Sequence, residues 1–275
     1  MTEVVARGAV EPTLRARGPA YSVMQECLRI QSEALPLGKV AHFFGCSPLC
    51  ADARSWYRGA LGELEVAAEL ARLGPEWTVL HAVPVGSGDS DIDHVVIGPP
   101  GIYTINTKNH SGKKIWVGGN TFLVNGFKTD HIRNSLFEAK RAAALLSKVA
   151  GGPVKVTPLI VVVNPAGIAR GRGKQRVIVL TSGRLFSWLT HRPRVHSNEA
   201  VTYFSMIAEE RATWHARGHV IDDTLRHLQR FERLQHEVRA ARIRARRWLV
   251  FAMVGVVGMG IWLLGSLSVL LLGMF

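Results

Sequence analysis

Acidic residues are scarce in this chain. There are 21 Asp and Glu against 34 Lys and Arg, which gives a formal net charge of +13. Such a balance suits phosphate backbones or anionic lipid as partners. Cysteine is scarcer still, at three residues. An odd, small number excludes a disulfide-built scaffold. Cys27, Cys46 and Cys50 with His42 make four potential zinc ligands, but their spacing matches no finger pattern and Pro48 interrupts it. No glycine-rich nucleotide loop, nucleophile elbow or HExxH motif is present, so those chemistries have no carrier here. The N-terminal stretch lacks the apolar core of a secretory signal. Internal repeats are missing too.

One absence is local. No charged residue occurs from Trp248 to Phe275. About 20 apolar residues suffice to span a bilayer as a helix, so the run predicts a single transmembrane helix with some tilt. Its glycines form no clean GxxxG pattern. Just before it stand Arg239, Arg242, Arg244, Arg246 and Arg247. Such a flank stays on the cytoplasmic side and meets anionic headgroups. The expectation is a tail-anchored protein whose soluble part faces the cytoplasm.

The length allows one sizeable domain plus accessory segments. Four segments are expected: 1–52, of unclear structure; 53–195, the main domain; 196–247, helical and basic; and 248–275, transmembrane. Helices are predicted at Tyr21–Ala34, Trp56–Leu73, His131–Ala150, Ser182–Leu189, Asn198–His215 and Asp222–Arg247. Strands are predicted at Trp77–Val83, at Arg176–Leu180 and at Val156–Val163, whose continuous apolar run marks a central strand. Lys114–Phe127 reads as a hairpin turning at Gly118-Gly119-Asn120. Leu225, Leu228, Phe231, Leu234 and Val238 form a stripe that either packs on the domain or pairs with a second copy.

The densest information lies between Asp91 and His110. Asp91–Ile97 reads as a strand, Gly98-Pro99-Pro100-Gly101 as a turn, and Ile102–Lys108 as a second strand. Side chains alternate along a strand, so Asp91, Asp93, Val95 and Ile97 share one face. Ile102, Thr104, Asn106 and Lys108 share a face on the other. With the prolines in the turn, Asp93 lies opposite Asn106 and Asp91 opposite Lys108. The bland alternative is a solvated strand end with a surface ion pair. His94 faces away from Asp93 and reads as a packing residue. His110 lies past the strand end, where it can approach a substrate.

A third carboxylate joins them. In the helix after Trp56, Glu65, Glu69 and Arg72 form the polar stripe, while Glu63 falls among Ala60, Val66, Ala67, Leu70 and Ala71 on the apolar side. A Glu there must be neutral, paired or bound to something.

This string of residues resembles the nuclease-related domain family, NERD. The resemblance rests on Gly62-Glu63, on Asp91 through Pro99, on Gly101-Ile102-Tyr103, on Thr107-Lys108-Asn109 with Gly112, and on the helix beginning Asn134 to Lys140. It covers roughly residues 58–164 and weakens towards Leu189. It implies an α/β fold, the restriction-endonuclease-like mixed sheet flanked by helices of the PD-(D/E)xK phosphodiesterases. It also implies that Glu63 and Asp93 hold Mg²⁺ or Mn²⁺ and that Lys108 orients the attacking water or stabilises charge on phosphorus. The family motif has a carboxylate two residues before the lysine. Here that residue is Asn106, which offers a neutral oxygen and no charge. Asp91, on the same face, and Glu138, in the following helix, are candidates to compensate.

Two functions follow as expectations. One is a membrane-anchored, metal-dependent nuclease acting on intracellular DNA or RNA. The other is an inactive relic that binds nucleic acid or scaffolds a complex at the membrane. Lys113 and Lys114 beside the site, and Arg170, Arg172, Lys174 and Arg176 in a glycine-bearing loop, are candidate contacts to a nucleic-acid backbone.

Overall fold

The structure, a computed structural model, describes residues 13–86, 91–214 and 224–272. In chain order, a 3-10 turn at Leu14–Ala16 precedes α1 (Tyr21–Glu33), α2 (Lys39–Phe43) and α3 (Ala53–Leu70). Then come β1 (Thr78–Pro84), β2 (Asp91–Gly98), β3 (Gly101–Asn109), β4 (Lys114–Gly118), β5 (Thr121–Val124) and β6 (Phe127–Thr129). After these stand α4 (His131–Ala150), β7 (Val156–Val163), β8 (Gly167–Arg170), β9 (Ile178–Thr181), α5 (Ser182–Thr190), α6 (Asn198–Glu209), α7 (Arg211–Trp214) and α8 (Thr224–Leu272). Residues 28–54 and 228–275 cluster as one compact unit, and the remainder as another.

The larger unit is built on a mixed five-stranded sheet in the order β1-β2-β3-β7-β9. β1, β2 and β3 pair antiparallel; β3, β7 and β9 pair parallel. This is the mixed sheet flanked by helices expected from the sequence. The central strand β7 is apolar throughout its second half because both its faces are covered. Leu159, Val161 and Val163 pack with Val66 and Leu70 of α3 and with Leu185 and Leu189 of α5. Ile160 and Val162 point the other way, into a second core with Ile115, Val117, Phe122 and Val124. α4 lies on that same side, setting Ala142 and Leu146 against Leu80, Val95, Ile97 and Ile102. It ends at Gly151, whose φ of 69° is the left-handed cap that glycine adopts without strain.

The second sheet corrects the expected two-stranded hairpin. Four strands lie in the order β6-β5-β4-β8. The Asn125-Gly126 turn, with φ of 49° and 88°, sends the chain back into β6. β8 joins by parallel pairing with β4, so Gly167 to Arg170 is strand rather than loop.

Other boundaries move as well. The helix expected over Asn198–His215 breaks at Glu210, which is extended. There the Thr213 hydroxyl and the Trp214 indole donate to the carbonyls of Ile207 and Ala208, terminating α6. The segment before Asp52 is not irregular throughout, since it holds the 3-10 turn and α2 besides α1. The expected lack of a leader at residues 1–12, His215, the start of the last helix at Asp222, and the end of the apolar run at residues 273–275 lie outside the described residues.

The smaller unit contains most of α8, one helix of 49 residues in which the expected basic and apolar segments are continuous. Its stripe Phe231, Leu234, Val238 and Ala241 is buried, whereas Leu225 is exposed. Gly45, at φ 79°, meets the α8 backbone at Ala241 and Ala245 so closely that no Cβ would fit. Among the described residues, one helix is long and apolar enough to cross a membrane, over Leu225–Leu263, and its apolar window is not buried.

Candidate active site

The site sits where the sheet forks. The Pro99-Pro100 turn sets the expected register, pairing Gly98 with Gly101 and His94 with Ile105. There the β2–β3 ladder ends. Asp91 remains paired only with β1, and Asn106 to Asn109 only with β7. Across the fork, the Thr107 N–H donates to Asp93 Oδ2 at 2.6 Å, so a side chain replaces the missing backbone acceptor. Asn106, next in register to Asp93, donates from Nδ2 to Glu138 Oε1 of α4 at 2.7 Å. α3 approaches from the opposite face. It can do so because residue 62 is glycine: a Cβ there would stand 3.1 Å from Asn109 Cβ and 3.4 Å from Thr107 Cγ2. The next residue, Glu63, is buried.

Four carboxylates therefore meet, and each is harder to ionise than an ordinary one. Burial pushes Glu63 well up, and the charges of Asp93 and Asp91 push it further, with Lys108 opposing. Burial raises Asp93 to about 6 against the pull of Lys108 and the Thr107 N–H. Burial raises Glu138 to about 7, with the Asn106 hydrogen bond opposing and the charge of Asp93 adding. Asp91 is raised by burial despite the Ser22 hydroxyl and the Arg17 guanidinium. Two buried oxygens here, Asn106 Oδ1 and Glu138 Oε2, have no hydrogen-bond partner.

Sequence reasoning missed Arg17 and Ser22. Arg17 lies 3.8 Å from Asp91 Oδ2 and donates to the Ser22 hydroxyl at 2.9 Å. Its side chain is almost buried, and that burial lowers its pKa. No local pattern marks it, since the contact spans more than 70 residues of chain. Arg17→Met should destabilise the protein by about 1–3 kcal/mol near pH 8, because a buried Asp91 loses its countercharge. The loss should shrink as pH falls and Asp91, already raised by burial, takes up a proton. Urea unfolding across a pH series measures both.

The histidines form two pairs. His94 turns away from Asp93 as expected and meets His81 Nδ1 to Nδ1 at 2.8 Å. Burial lowers His81 to about 4 and His94 well below its ordinary value. His110 stacks on His131 with their Nε2 atoms 3.1 Å apart. Burial and Lys108 lower both, His131 to about 4.

The remaining basic candidates are spread out. Lys113 and Lys114 are exposed at the start of the second sheet. Arg170 is engaged, donating to the Val179 carbonyl and to Gln175 Oε1. Arg172 and Lys174 are exposed and Arg176 is exposed beside them. As for zinc, no cysteine is in a disulfide, and among the described residues no group of three or more His, Cys, Asp or Glu stands ready to ligate a metal.

With this geometry in view, comparison with known families is decisive. Residues 58–163 match the family model of the nuclease-related domain, NERD. This part of the chain is similar to nuclease-related domains. It encloses Glu63, Asp91, Asp93, Asn106, Lys108 and Glu138, and leaves out Arg17 and Ser22. No curated protein and no solved structure matches the chain. Two residues that engage Asp91 thus lie outside the matched span.

The donors suit a hard divalent cation in kind. All are oxygens, most belong to carboxyl groups, and two are left without partners. Among the described residues they do not make a group of three or more His, Cys, Asp or Glu placed to hold a metal ion.

Stability of the metal-free protein should fall as pH rises from about 6.5 through about 7. A carboxyl with a raised folded-state pKa stabilises the fold at low pH and loses that contribution as pH climbs through the folded value. For Asp93 and Glu138 the loss runs from 3.8 and 4.5 up to about 6 and about 7. The buried histidines act in reverse: His81 and His131 lose stability as pH falls from 6.5 towards about 4. The two effects oppose below 6.5, and only the carboxylates remain above it. Melting temperatures in chelator should show the fall, and Glu138→Gln should flatten it. An equal fall in that variant would assign it elsewhere.

Proposed function

We propose that this protein is a membrane-anchored, metal-dependent phosphodiesterase acting on nucleic acid. The observation that carries the reading is the convergence of Glu63, Asp93, Asn106 and Glu138 with Lys108 at a fork inside the nuclease-related domain. Glu63, Asp93 and Asn106 Oδ1 are the groups that would hold Mg²⁺ or Mn²⁺. Glu138, bonded to Asn106, supplies the negative charge that Asn106 lacks. Asp91 is engaged by Arg17 and Ser22 and adds charge behind them. A bound divalent cation supplies Lewis-acid polarisation of a phosphoryl oxygen. Lys108 sets a positive charge on the same strand face as Asn106, where it stabilises charge growing on the phosphate. Lys113 and Lys114 continue the positive track along the backbone.

The anchor rests on α8 and its surroundings. Phe43 of α2 and Phe44 just after it pack around Trp248, and Trp248 donates from Nε1 to the Phe43 carbonyl. Val40, Phe43 and Phe44 are exposed. An aromatic cluster between a basic flank and an apolar run suits the headgroup layer of a bilayer. The flank of Arg239, Arg242, Arg244, Arg246 and Arg247 would face anionic lipid on the cytoplasmic side.

The test is cleavage of labelled single- and double-stranded DNA and RNA by the full chain in detergent micelles, with Mg²⁺, Mn²⁺ or chelator. Cutting that needs the cation and disappears in Asp93→Ala supports the reading. A folded protein that binds nucleic acid in a salt-dependent way and never cuts it belongs instead to the binding or scaffolding class.

A further inference from the structure

We infer that the outer face of the second sheet is a stacking platform for single-stranded nucleic acid, centred on Trp116. This deepens the proposed function, naming the form of substrate that reaches the fork, and rests on that reading for its purpose but not for its test.

The strand register places the face. Ile115, Val117, Phe122 and Val124 point inward to the core. Alternation then sends Lys114 and Trp116 outward on β4. Trp116 pairs with Leu123, Leu123 with Lys128, and Trp116 with Ala169. Lys128, Leu123, Trp116 and Ala169 therefore form one row across four strands, with Lys114 two residues before the tryptophan.

The indole lies on a shelf made for it. Residues 118 and 171 are glycines, and a Cβ on either would overlap the ring. The two bare backbone segments let the ring lie against the sheet, and 37% of the residue stays open to solvent. The open indole face is available to stack on a planar ligand. Its surroundings say which: Lys114 and Lys128 flank it, Arg172 and Lys174 follow just beyond Gly171, and all four are exposed. An aromatic plane with lysines on its own sheet face matches a base over the indole and phosphates on the lysines. A duplex keeps its bases stacked inside and offers none to such a ring. Chain continuity links platform and fork: Lys114 opens β4 only six residues after Lys108, and Lys113 N–H donates to the His110 carbonyl in the turn between them.

The test is fluorescence anisotropy of a labelled oligothymidylate of about 15 nucleotides with the full chain in detergent micelles and chelator. Trp116→Ala should weaken binding about tenfold and leave the salt slope unchanged, while Trp116→Phe keeps most of the affinity. Lys114→Ala should lower the salt slope by about one. Circular dichroism melting checks that each variant is folded. Unchanged affinity in Trp116→Ala, equal affinity for a duplex of the same length, or no binding by the unaltered protein would each overturn the platform. Because no metal is present, these outcomes stand apart from cleavage. Trp116-dependent binding without cutting leaves the platform and removes the nuclease reading. Metal-dependent cutting with Trp116→Ala binding as before does the reverse.

Discussion

Lys108→Ala should slow metal-dependent cleavage by about 10²–10³-fold at saturating substrate, read as single-turnover rates. The proposed function gives Lys108 two roles that this variant separates. Its charge opposes the repulsion among Glu63, Asp93 and Glu138, whose pKa values it pulls down. It also projects from β3 on the face it shares with Asn106, where a scissile phosphate would gather charge. Removing only the first role shifts the pH dependence of the rate upward, since the carboxylates become still harder to ionise. Removing the second lowers the rate at every pH. Both effects are expected together. A rate unchanged on its plateau, with only a shifted pH profile, would reduce Lys108 to a counterion.

Asn106→Asp should tighten Mn²⁺ binding by roughly tenfold or more near pH 8, measured by titration calorimetry, because it adds an anionic oxygen to the donors. The same change should destabilise the metal-free protein. Asn106 Nδ2 now donates to Glu138 Oε1 at 2.7 Å. An aspartate there has no donor to give, and two carboxyl groups would face each other and share a proton. Cation binding should then release more protons than in the unaltered chain, which calorimetry in buffers of different ionisation enthalpy detects. Failure of Asn106→Asp to bind any divalent cation would mean that the fork no longer closes around one, whatever its charge.

Much of this site could be read from residue order because alternation and helical period are local. Gly-Pro-Pro-Gly fixed the hairpin register as far as His94 opposite Ile105, and the expected pairs Asp93 with Asn106 and Asp91 with Lys108 fall beyond the last paired residues. Helical period put Glu63 on the buried side of α3, where it is found. Glu138 was a candidate from its place in the following helix, and its side chain accepts a hydrogen bond from Asn106. The fork itself was not legible, because nothing in Asp91–Asp93 or Asn106–Asn109 says that their backbones stop pairing. Arg17 was invisible for a different reason: its partner is distant in sequence and its neighbourhood has no period. β6 was missed although Asn125-Gly126 signals a tight turn, since a three-residue strand is too short for alternation to register. The continuity of α8 was hidden by a change of composition, from arginine-rich to apolar, that leaves helix propensity intact.

The short bond across the fork has a further meaning. The Thr107 proton is shared with a carboxylate of Asp93 rather than with a peptide carbonyl. A peptide oxygen has a nearly fixed charge, whereas this one changes when Asp93 gains a proton or is drawn to a cation. The Thr107 amide resonance is therefore a built-in gauge of the site's charge state, readable by NMR in the absence of any substrate.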